Sequence, residues 1–324
     1  MLCELCPRKC CVDRDAGQIG YCGVPARLKV ARAALHMWEE PCISGSTGSG
    51  AIFFSGCNMG CIYCQNHAIS SGHCGLEITA DRLEEICYEL QAQGAANINL
   101  VTPDHEIMAL VPVLTRLKQQ HFPLPVVYNS SSYVTVDALK RLDGLVDIYL
   151  PDLKYMDTQI AKTYSRVADY PETAMAAIAE MVRQIRSHTP AGETVCSLDA
   201  QGMMRRGVIV RHLLLPGQLY AARQIVKYLH RTYGEDIYIS LMNQYTPMPG
   251  MEGALAERVD RSSYENLIDY ACRIGVDQGY IQEGDTARES FIPSFDYEGV
   301  QQDILNRSRK TTNVENGEDD DGRK

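Results

Sequence analysis

The chain has 324 residues and a net charge of −10, and 45% of its residues are hydrophobic. This length suits one large α/β domain with small additions, and the acidic charge argues against a general nucleic-acid-binding surface. No apolar run approaches the roughly 20 residues of a membrane-spanning helix, and the N-terminus lacks the basic and apolar regions of a signal peptide. The 13 cysteines therefore predict metal or redox use in a reducing compartment, expected to be the cytoplasm.

The first cysteine group lies in an N-terminal arm, residues 1–45. Its best ligand set follows a C-x2-C-x3-C-x11-C pattern and consists of Cys3, Cys6, Cys10 and Cys22. Four thiolates in so short a segment are better explained by a metal than by packing, and both zinc and a second iron–sulfur cluster remain open. The alternative is an arm of reduced cysteines with little order.

Two acidic residues, Glu39 and Glu40, stand close to His36 at the end of this arm. They either line a site or form a solvated turn, and the hydrophobic pattern does not decide between the two. The Gly/Ser-rich run at 44–50 lacks the Gly-Lys-Ser/Thr ending of a phosphate-binding loop, and a strand rather than a helix follows it.

The second cysteine group follows an apolar run at residues 51–56. Cys57, Cys61 and Cys64 have C-x3-C-x2-C spacing. One short loop of this kind holds three corners of a 4Fe–4S cluster and leaves the fourth iron without a protein ligand. A closed structural zinc site needs four ligands, usually as two separated pairs. The alternative is a zinc or redox-inert cysteine group.

From residue 51 onward, apolar strands alternate with amphipathic helices. Strands are predicted at 51–56, 97–102, 126–130, 147–150, 207–215 and 237–242, with a last short one at 280–281. A helix starts at Thr79 or Asp81, a second begins near Ile107, a third covers 158–188, and a fourth starts with a capping box of Ser262 and Glu265. Residues 189–206 are expected to form a lid or a hairpin.

This alternation predicts a parallel sheet covered by helices, in a partial (β/α)6 TIM-like barrel with a small cysteine-rich arm. The predicted domains are the arm at 1–45, the barrel at 46–296 and a polar tail at 297–324, of which the last part is expected to be disordered. In parallel barrels the site forms at the carboxyl ends of the strands.

The C-x3-C-x2-C spacing resembles the signature of the radical S-adenosylmethionine (SAM) superfamily. The resemblance implies that the open iron binds the amino and carboxylate groups of SAM and that Tyr63 lies near the adenine. It also implies that an electron from the cluster cleaves SAM, and that the resulting 5′-deoxyadenosyl radical abstracts a hydrogen atom. A reducing partner such as flavodoxin or ferredoxin is then expected.

Within that superfamily the chain is most similar to the pyruvate formate-lyase activating enzymes and their uncharacterised homologues. Phe53-x-x-Gly56-Cys57-x3-Cys61-x2-Cys64-x-Asn66 matches the core of their signature, and Asp152-Leu153-Lys154 matches their Asp-x-Lys at a strand end. The resemblance implies that Lys154 contacts the SAM carboxylate and that Asp152 lies near the substrate or a monovalent cation. Asn129-Ser130 stands where the activases carry Asp-Thr.

The sequence also departs from the activases at several positions. The Gly-Gly-Glu segment that grips the SAM amino group is replaced by Thr102-Pro103-Asp104-His105, and Gly48-Ser49-Gly50 stands where the activases usually carry an arginine a few residues before Phe53. The substrate therefore stays open between a glycyl radical enzyme, another protein and a small molecule. A non-enzymatic iron–sulfur electron carrier or redox sensor is the alternative function.

Roles for the other strand-end residues follow from their chemistry. Lys154, Asp152 and Asn129 are the candidate catalytic residues. The candidate cofactor-binding residues are Tyr63, Asn66, Thr102, His105, Ser130, Lys154 and Asn243. Arg211 and His212 are consecutive in the fifth strand, so one side chain is expected to point into the barrel and the other toward the helices.

Overall fold

A computed structural model describes residues 2–282 and 293–301. Within these residues ten strands form one mixed sheet. The strands are β1 (Leu28–His36), β2 (Ser49–Phe54), β3 (Leu76–Ile78), β4 (Ile98–Val101), β5 (Val126–Ser130), β6 (Ile148–Pro151), β7 (Ser197–Leu198), β8 (Met204–Leu213), β9 (Tyr238–Met242) and β10 (Gly279–Ile281). The helices are α1 (Pro41–Ser44), α2 (His67–Ser70), α3 (Ala80–Ala92), α4 (Ile107–Gln119), α5 (Val136–Leu139), α6 (Thr158–Ser165), α7 (Tyr170–Ser187), α8 (Leu219–Tyr233) and α9 (Arg261–Arg273).

Neighbouring strands follow the order β10-β9-β8-β6-β5-β4-β2-β1-β3, and β7 pairs with β8 beside this path. All pairs from β2 to β10 along the path are parallel, whereas β1 runs antiparallel to both β2 and β3. The path has two free ends, β3 and β10, as a partial barrel does. The α/β class, the mostly parallel sheet and the seven predicted strands, including the short one at 280–281, are confirmed, and the arrangement is consistent with a partial TIM-like barrel.

The central strands are buried over their whole length. Every residue of β2, β4, β5 and β6 is shielded from solvent. Parallel strands covered on both faces require such continuous apolar runs. Helix α3 presents the predicted apolar face of Leu83, Ile86 and Leu90 to this core, and it begins at Thr79, whose side chain accepts a hydrogen bond from the Arg82 amide.

Strand β1 was not predicted, because sequence analysis placed residues 28–36 in the arm. Its sequence, Leu-Lys-Val-Ala-Arg-Ala-Ala-Leu-His, contains three alanines and two basic residues, which have little strand preference. Hydrogen bonding to β2 and β3 stabilises the extended conformation that the local sequence does not favour by itself. Part of the predicted arm therefore belongs to the sheet, although the proposed division into domains stays a prediction.

Two predicted helix boundaries were wrong. The helix expected at 158–188 is two helices, because α6 ends at Arg166 in the left-handed conformation with φ of 56°. Helix α9 is capped by Asp260, whose carboxylate accepts from the Ser263 amide, and not by the pair Ser262 and Glu265. The hairpin expected within 189–206 is present, since β7 pairs antiparallel with the start of β8.

Neither described segment, 2–282 or 293–301, contains a helix with the length and apolar character that a membrane crossing requires. Most of the predicted polar tail, residues 302–324, lies outside the described residues.

Candidate functional site

Backbone hydrogen bonds align the carboxyl ends of neighbouring parallel strands with one another. The Thr102 amide donates to the Asn129 carbonyl over 2.9 Å, and the Asp152 amide donates to the Ser130 carbonyl over 2.9 Å. Asp152 also forms a parallel bridge with Arg211. Side chains from four separate strands therefore converge at this edge, as expected for a parallel sheet.

A cavity of about 240 Å³ opens at this edge, and we call it the edge cavity. Its wall combines the cysteine loop with most of the predicted strand-end residues. The predicted residues on its wall are Cys57, Cys61, Tyr63, Cys64, Asn66, Thr102, Asn129, Asp152 and Lys154. The structure thus brings together the candidate cluster ligands and all three candidate catalytic residues.

Three predicted cofactor-binding residues are not on the wall of the edge cavity. The Ser130 hydroxyl donates to Asp104 over 2.6 Å in the interior. His105 is also buried, and its Nε2 donates to the Ser55 carbonyl over 2.7 Å. The Asn243 amide donates to the side chain of Gln282 over 2.8 Å. Their contacts support the strand ends and the cysteine loop.

The cysteine loop holds its thiols in a buried environment. Burial, together with the neighbouring thiol groups, raises the pKa of Cys57 to about 12, and burial raises the pKa of Cys64 to about 11. Burial also raises the pKa of Cys61, although the nearby Lys154 ammonium acts in the opposite direction. Metal ligands are thiolates, so loading this loop with metal must release protons.

The donor set fits a cluster better than a single metal ion. In the part of the chain that the structure describes, no group of three or more His, Cys, Asp or Glu side chains is placed to hold one ion. A 4Fe–4S cluster uses a different iron for each thiolate, so its ligands stand farther apart than ligands around one ion. The three thiols share one cavity wall, and Lys154 is close enough to Cys61 to act on the pKa of that thiol.

Lys154 and Asp152 form an ion pair on the cavity wall. Arg211 Nε donates to the other oxygen of Asp152 over 3.1 Å. Burial disfavours the charged carboxylate, but Lys154 and Arg211 overcome this effect and hold the pKa of Asp152 below its usual value. Asp152 and Lys154 are therefore both charged, and Lys154 can present an ammonium group to a ligand carboxylate.

Glu39 lines the edge cavity, which decides between the two alternatives left by the sequence. Its carboxylate accepts from Arg211 Nη1 over 3.1 Å and from Asn99 Nδ2 over 2.9 Å. Arg211 Nη2 also donates to the Asn129 side chain. Glu40 is fully buried beside this group, and burial raises its pKa. Glu39 therefore belongs to a buried polar network centred on Arg211, and not to a solvated turn.

Arg211 and His212 point in opposite directions, as predicted. Arg211 faces the edge cavity, whereas His212 is buried and its Nδ1 donates to the Leu153 carbonyl over 2.8 Å. Burial lowers the pKa of His212 to about 4, so this imidazole is neutral.

A chain of hydroxyl groups links Tyr63 to a cluster cysteine. The Tyr63 and Tyr155 hydroxyls lie 2.5 Å apart, and Tyr155 lies 2.9 Å from the Ser165 hydroxyl. Ser165 in turn donates to Cys61 Sγ over 2.9 Å. Sequence analysis missed Tyr155 and Ser165, because this contact depends on how α6 folds back over the cysteine loop.

The arm cysteines have a different setting. Burial raises the pKa of Cys6 to about 11, with smaller contributions from Cys10 and Cys3, so these three thiols are near one another. Cys3 and His105 also border a second cavity of about 740 Å³ between the arm and helices α4 and α5. Because no single-ion site is found among the described residues, a zinc or second cluster in the arm stays a prediction.

Residues 51–192 match the family described as the Radical SAM superfamily. This segment runs from β2 through α7 and contains all three cysteines of the loop, as well as Asp152 and Lys154. The match supports a radical SAM superfamily domain in this segment and, with it, SAM-dependent radical chemistry.

An uncharacterized protein of Methanocaldococcus jannaschii is 26% identical over 256 residues, which cover 76% of this chain and 66% of that protein. The chain thus spans just under two thirds of this relative. A solved radical SAM methyltransferase from Sphaerobacter thermophilus has a TM-score of 0.51 and 14% identity, covering 75% of this chain and 68% of that one. At that identity the likeness concerns the fold alone.

A domain of a pyruvate-formate lyase-activating enzyme from Bacteroides vulgatus aligns with 58% of this chain and all of its own length, at 13% identity and a TM-score of 0.41. This similarity is too low to favour activases over other radical SAM proteins. The predicted superfamily is thus supported, and the narrower resemblance to activases is not specifically confirmed.

Proposed function

We propose that the chain binds a 4Fe–4S cluster through Cys57, Cys61 and Cys64 and uses it to cleave SAM reductively. The observation that carries this proposal is the edge cavity, where the three thiols, Lys154 and Asp152 share one wall inside the radical SAM domain. When bound, the cluster supplies an electron to SAM, and the 5′-deoxyadenosyl radical formed abstracts a hydrogen atom from the substrate.

The chain's own residues would bind and orient SAM. Lys154 offers its ammonium to the SAM carboxylate, and Asp152 holds Lys154 in place from the opposite side. Tyr63, with its ring edge against Tyr245 and its hydroxyl on Tyr155, forms a rigid aromatic wall for the adenine. Thr102 and Asn66 offer polar groups at the same level of the cavity. An electron carrier without SAM chemistry would not need these groups around the thiols.

The experiment is anaerobic reconstitution of the full chain with iron and sulfide, followed by addition of dithionite and SAM. We expect 5′-deoxyadenosine from the wild-type protein and none from a variant with alanine at all three loop cysteines. Full cleavage by the triple variant would refute the proposal. An intact cluster without any 5′-deoxyadenosine would favour the electron carrier.

We further propose that the chain is a homologue of the glycyl radical activases and that its substrate is not pyruvate formate-lyase. Thr102-Pro103-Asp104-His105 replaces the activase Gly-Gly-Glu segment, and Glu39 and Arg211 bring a charged network to the cavity wall. Hydrogen abstraction from another protein, with electrons from flavodoxin or ferredoxin in the cytoplasm, fits this arrangement. The test is an electron paramagnetic resonance spectrum after incubation of the reduced protein with pyruvate formate-lyase. We expect little or no glycyl-radical doublet, and a strong doublet would show the narrower activase function.

A further inference from the structure

The arm and the cysteine loop are packed against each other with almost no space between them. Gly56 has φ of 89°, and a Cβ atom there would stand 2.5 Å from the Cys22 carbonyl oxygen. Gly60 has φ of 80°, and a Cβ atom there would stand 2.5 Å from the Tyr21 hydroxyl. Gly56 has a left-handed conformation and approaches the arm backbone so closely that a Cβ atom is excluded, and the left-handed conformation of Gly60 also favours glycine. The loop and the arm are therefore closely fitted.

One arm side chain fills this contact with hydrogen bonds. Arg8 Nε donates to the Asn58 carbonyl over 3.0 Å, and Nη2 donates to the Met59 carbonyl over 2.9 Å. Both acceptors lie in the turn between Cys57 and Cys61. The third nitrogen, Nη1, donates to the carbonyl of Arg166 over 3.2 Å. The three nitrogens of one rigid guanidinium therefore fix the turn and tie it to the end of α6.

The guanidinium is itself held in place by aromatic rings. Its central carbon lies 3.8 Å from the ring centroid of Tyr21 and 5.8 Å from that of Tyr133. The Asn58 side chain donates to the Tyr133 carbonyl over 2.6 Å, which anchors the same turn from the barrel side. A cation placed between two rings keeps its charge and its orientation.

We infer that Arg8 is a positioning residue for the cysteine loop, which it clamps through the Asn58 and Met59 carbonyls while placing a positive charge against the turn between Cys57 and Cys61. The clamp gives the cysteine-rich arm a role that does not require a metal of its own. The electrostatic part of this inference rests on the proposed cluster, whereas the clamp itself does not.

Two consequences follow for loop order and for the cluster. The clamp consists of contacts between protein groups, so none of its hydrogen bonds depends on a metal ligand. Its loss would let the turn open locally and expose the thiols. A positive charge beside an iron–sulfur cluster stabilises the reduced form, which carries one more negative charge, so Arg8 would raise the reduction potential.

The first experiment uses the metal-free full chain and measures the rate of iodoacetamide alkylation at each cysteine by peptide mass mapping, with exposed Cys272 as the internal reference. We compare Arg8→Ala and Arg8→Lys with Lys9→Ala, which removes the same charge from the next residue. Losing charge-assisted hydrogen bonds should speed alkylation of Cys57 and Cys61 about tenfold in both Arg8 variants. The Lys9→Ala protein should match the wild type.

The second experiment measures the midpoint potential of the reconstituted cluster. We expect Arg8→Ala to lower it, and Arg8→Lys, which keeps the charge without the three-pronged geometry, to lower it less. Wild-type alkylation rates in both Arg8 variants would overturn the clamp, and equal potentials in wild type and Arg8→Ala would overturn the charge effect. If the wild-type protein forms no cluster, the proposed function fails while the alkylation result still tests the clamp.

Discussion

The two cysteine groups of this chain have the same chemistry and different surroundings. The loop thiols Cys57, Cys61 and Cys64 lie at the carboxyl edge of the sheet, where side chains from several strands reach the same cavity. The arm thiols Cys3, Cys6 and Cys10 lie on turns that pack against the outside of that loop. The spacing of both groups is typical of metal ligands.

The difference between the two groups lies in the side chains that surround the thiols. At the edge, Lys154 and Asp152 stand beside the thiols, and the strand register fixes their position. In the arm, the prominent contacts run from Arg8 and Cys22 to the backbone of the loop. The edge is built to receive a ligand, whereas the arm is built to hold the edge.

The largest expected effect separates the two cysteine groups by metal content. Alanine at Cys57, Cys61 and Cys64 should abolish the 4Fe–4S absorbance and SAM cleavage, because this variant lacks all three thiolates that are proposed to bind the cluster in the edge cavity. If the arm binds its own metal, metal analysis of this triple variant should still show zinc or iron.

The matched variant carries serine at Cys3, Cys6, Cys10 and Cys22. This variant should keep the cluster in the loop. It should bind less iron than the wild type if the arm cysteines are needed for the fold by which the arm clamps the loop. Complete loss of metal from the triple alanine variant would mean that the arm has no metal site.

The next largest effect concerns the contribution of the Arg211 network to the stability of the fold. Arg211→Met would leave Glu39 and Asp152 buried without their shared partner. Removing one member of a buried ionic network costs about 3–5 kcal/mol of unfolding free energy. Urea unfolding measures this loss. Arg186→Ala, which breaks an exposed ion pair with Asp236, is the control and should cost at most about 1 kcal/mol. Equal losses would show that the network adds nothing special.

Sequence patterns predicted the parts of this molecule that depend on local order. The parallel strands are continuous apolar runs, and Asp152 and Lys154 follow such a run directly, so the sheet and most of the edge cavity could be predicted. Glu39 and Arg211 were noticed but their pairing was not, because they are 172 residues apart and meet only through β1 and β8. Strand β1 was missed because its pairing partners, and not its composition, make it a strand.

His105 and Ser130 illustrate the opposite error. Both follow strands and both are polar, which made them candidates for cofactor binding. The structure shows them facing the interior, where Ser130 binds Asp104 and His105 supports the Ser55 carbonyl just before the cysteine loop. The position of a residue at a strand end does not tell whether its side chain points into the cavity or into the protein interior.

A smaller effect is expected at the ligand contact itself. Lys154→Ala should weaken SAM binding by ~1–3 kcal/mol, the range for losing a hydrogen bond to a charged group. Calorimetric titration of the reconstituted protein with SAM measures this change. Lys118→Ala removes a lysine that pairs with Asp147 on the surface, and it should leave affinity unchanged. If Lys154→Ala binds SAM with unchanged affinity, Lys154 does not contact the SAM carboxylate.

The smallest effect concerns the anchor of the arm, where Arg14 pairs with the buried Glu106 over 3.3 Å. Burial raises the pKa of Glu106 to about 8, although Arg14 acts in the opposite direction. Between pH 4.5 and 8 the unfolded chain has released this proton and the folded chain still holds it. At this group the folded state therefore binds more protons, and the contribution of Glu106 to the free energy of unfolding falls as pH rises through this window.

The buried histidines act in the opposite direction, since burial lowers the pKa of His105 and of His212 to about 4. Their contribution ends near pH 6.5, so these histidines no longer offset the effect of Glu106 between pH 6.5 and 8. Glu106→Gln should reduce the fall in unfolding free energy there by about 1 kcal/mol per pH unit. Glu84→Gln is the control, because hydrogen bonding to Arg116 holds the pKa of Glu84 below its ordinary value and outside this window. Identical slopes in wild type and Glu106→Gln would mean that Glu106 is already ionised, as a full ion pair with Arg14, at neutral pH.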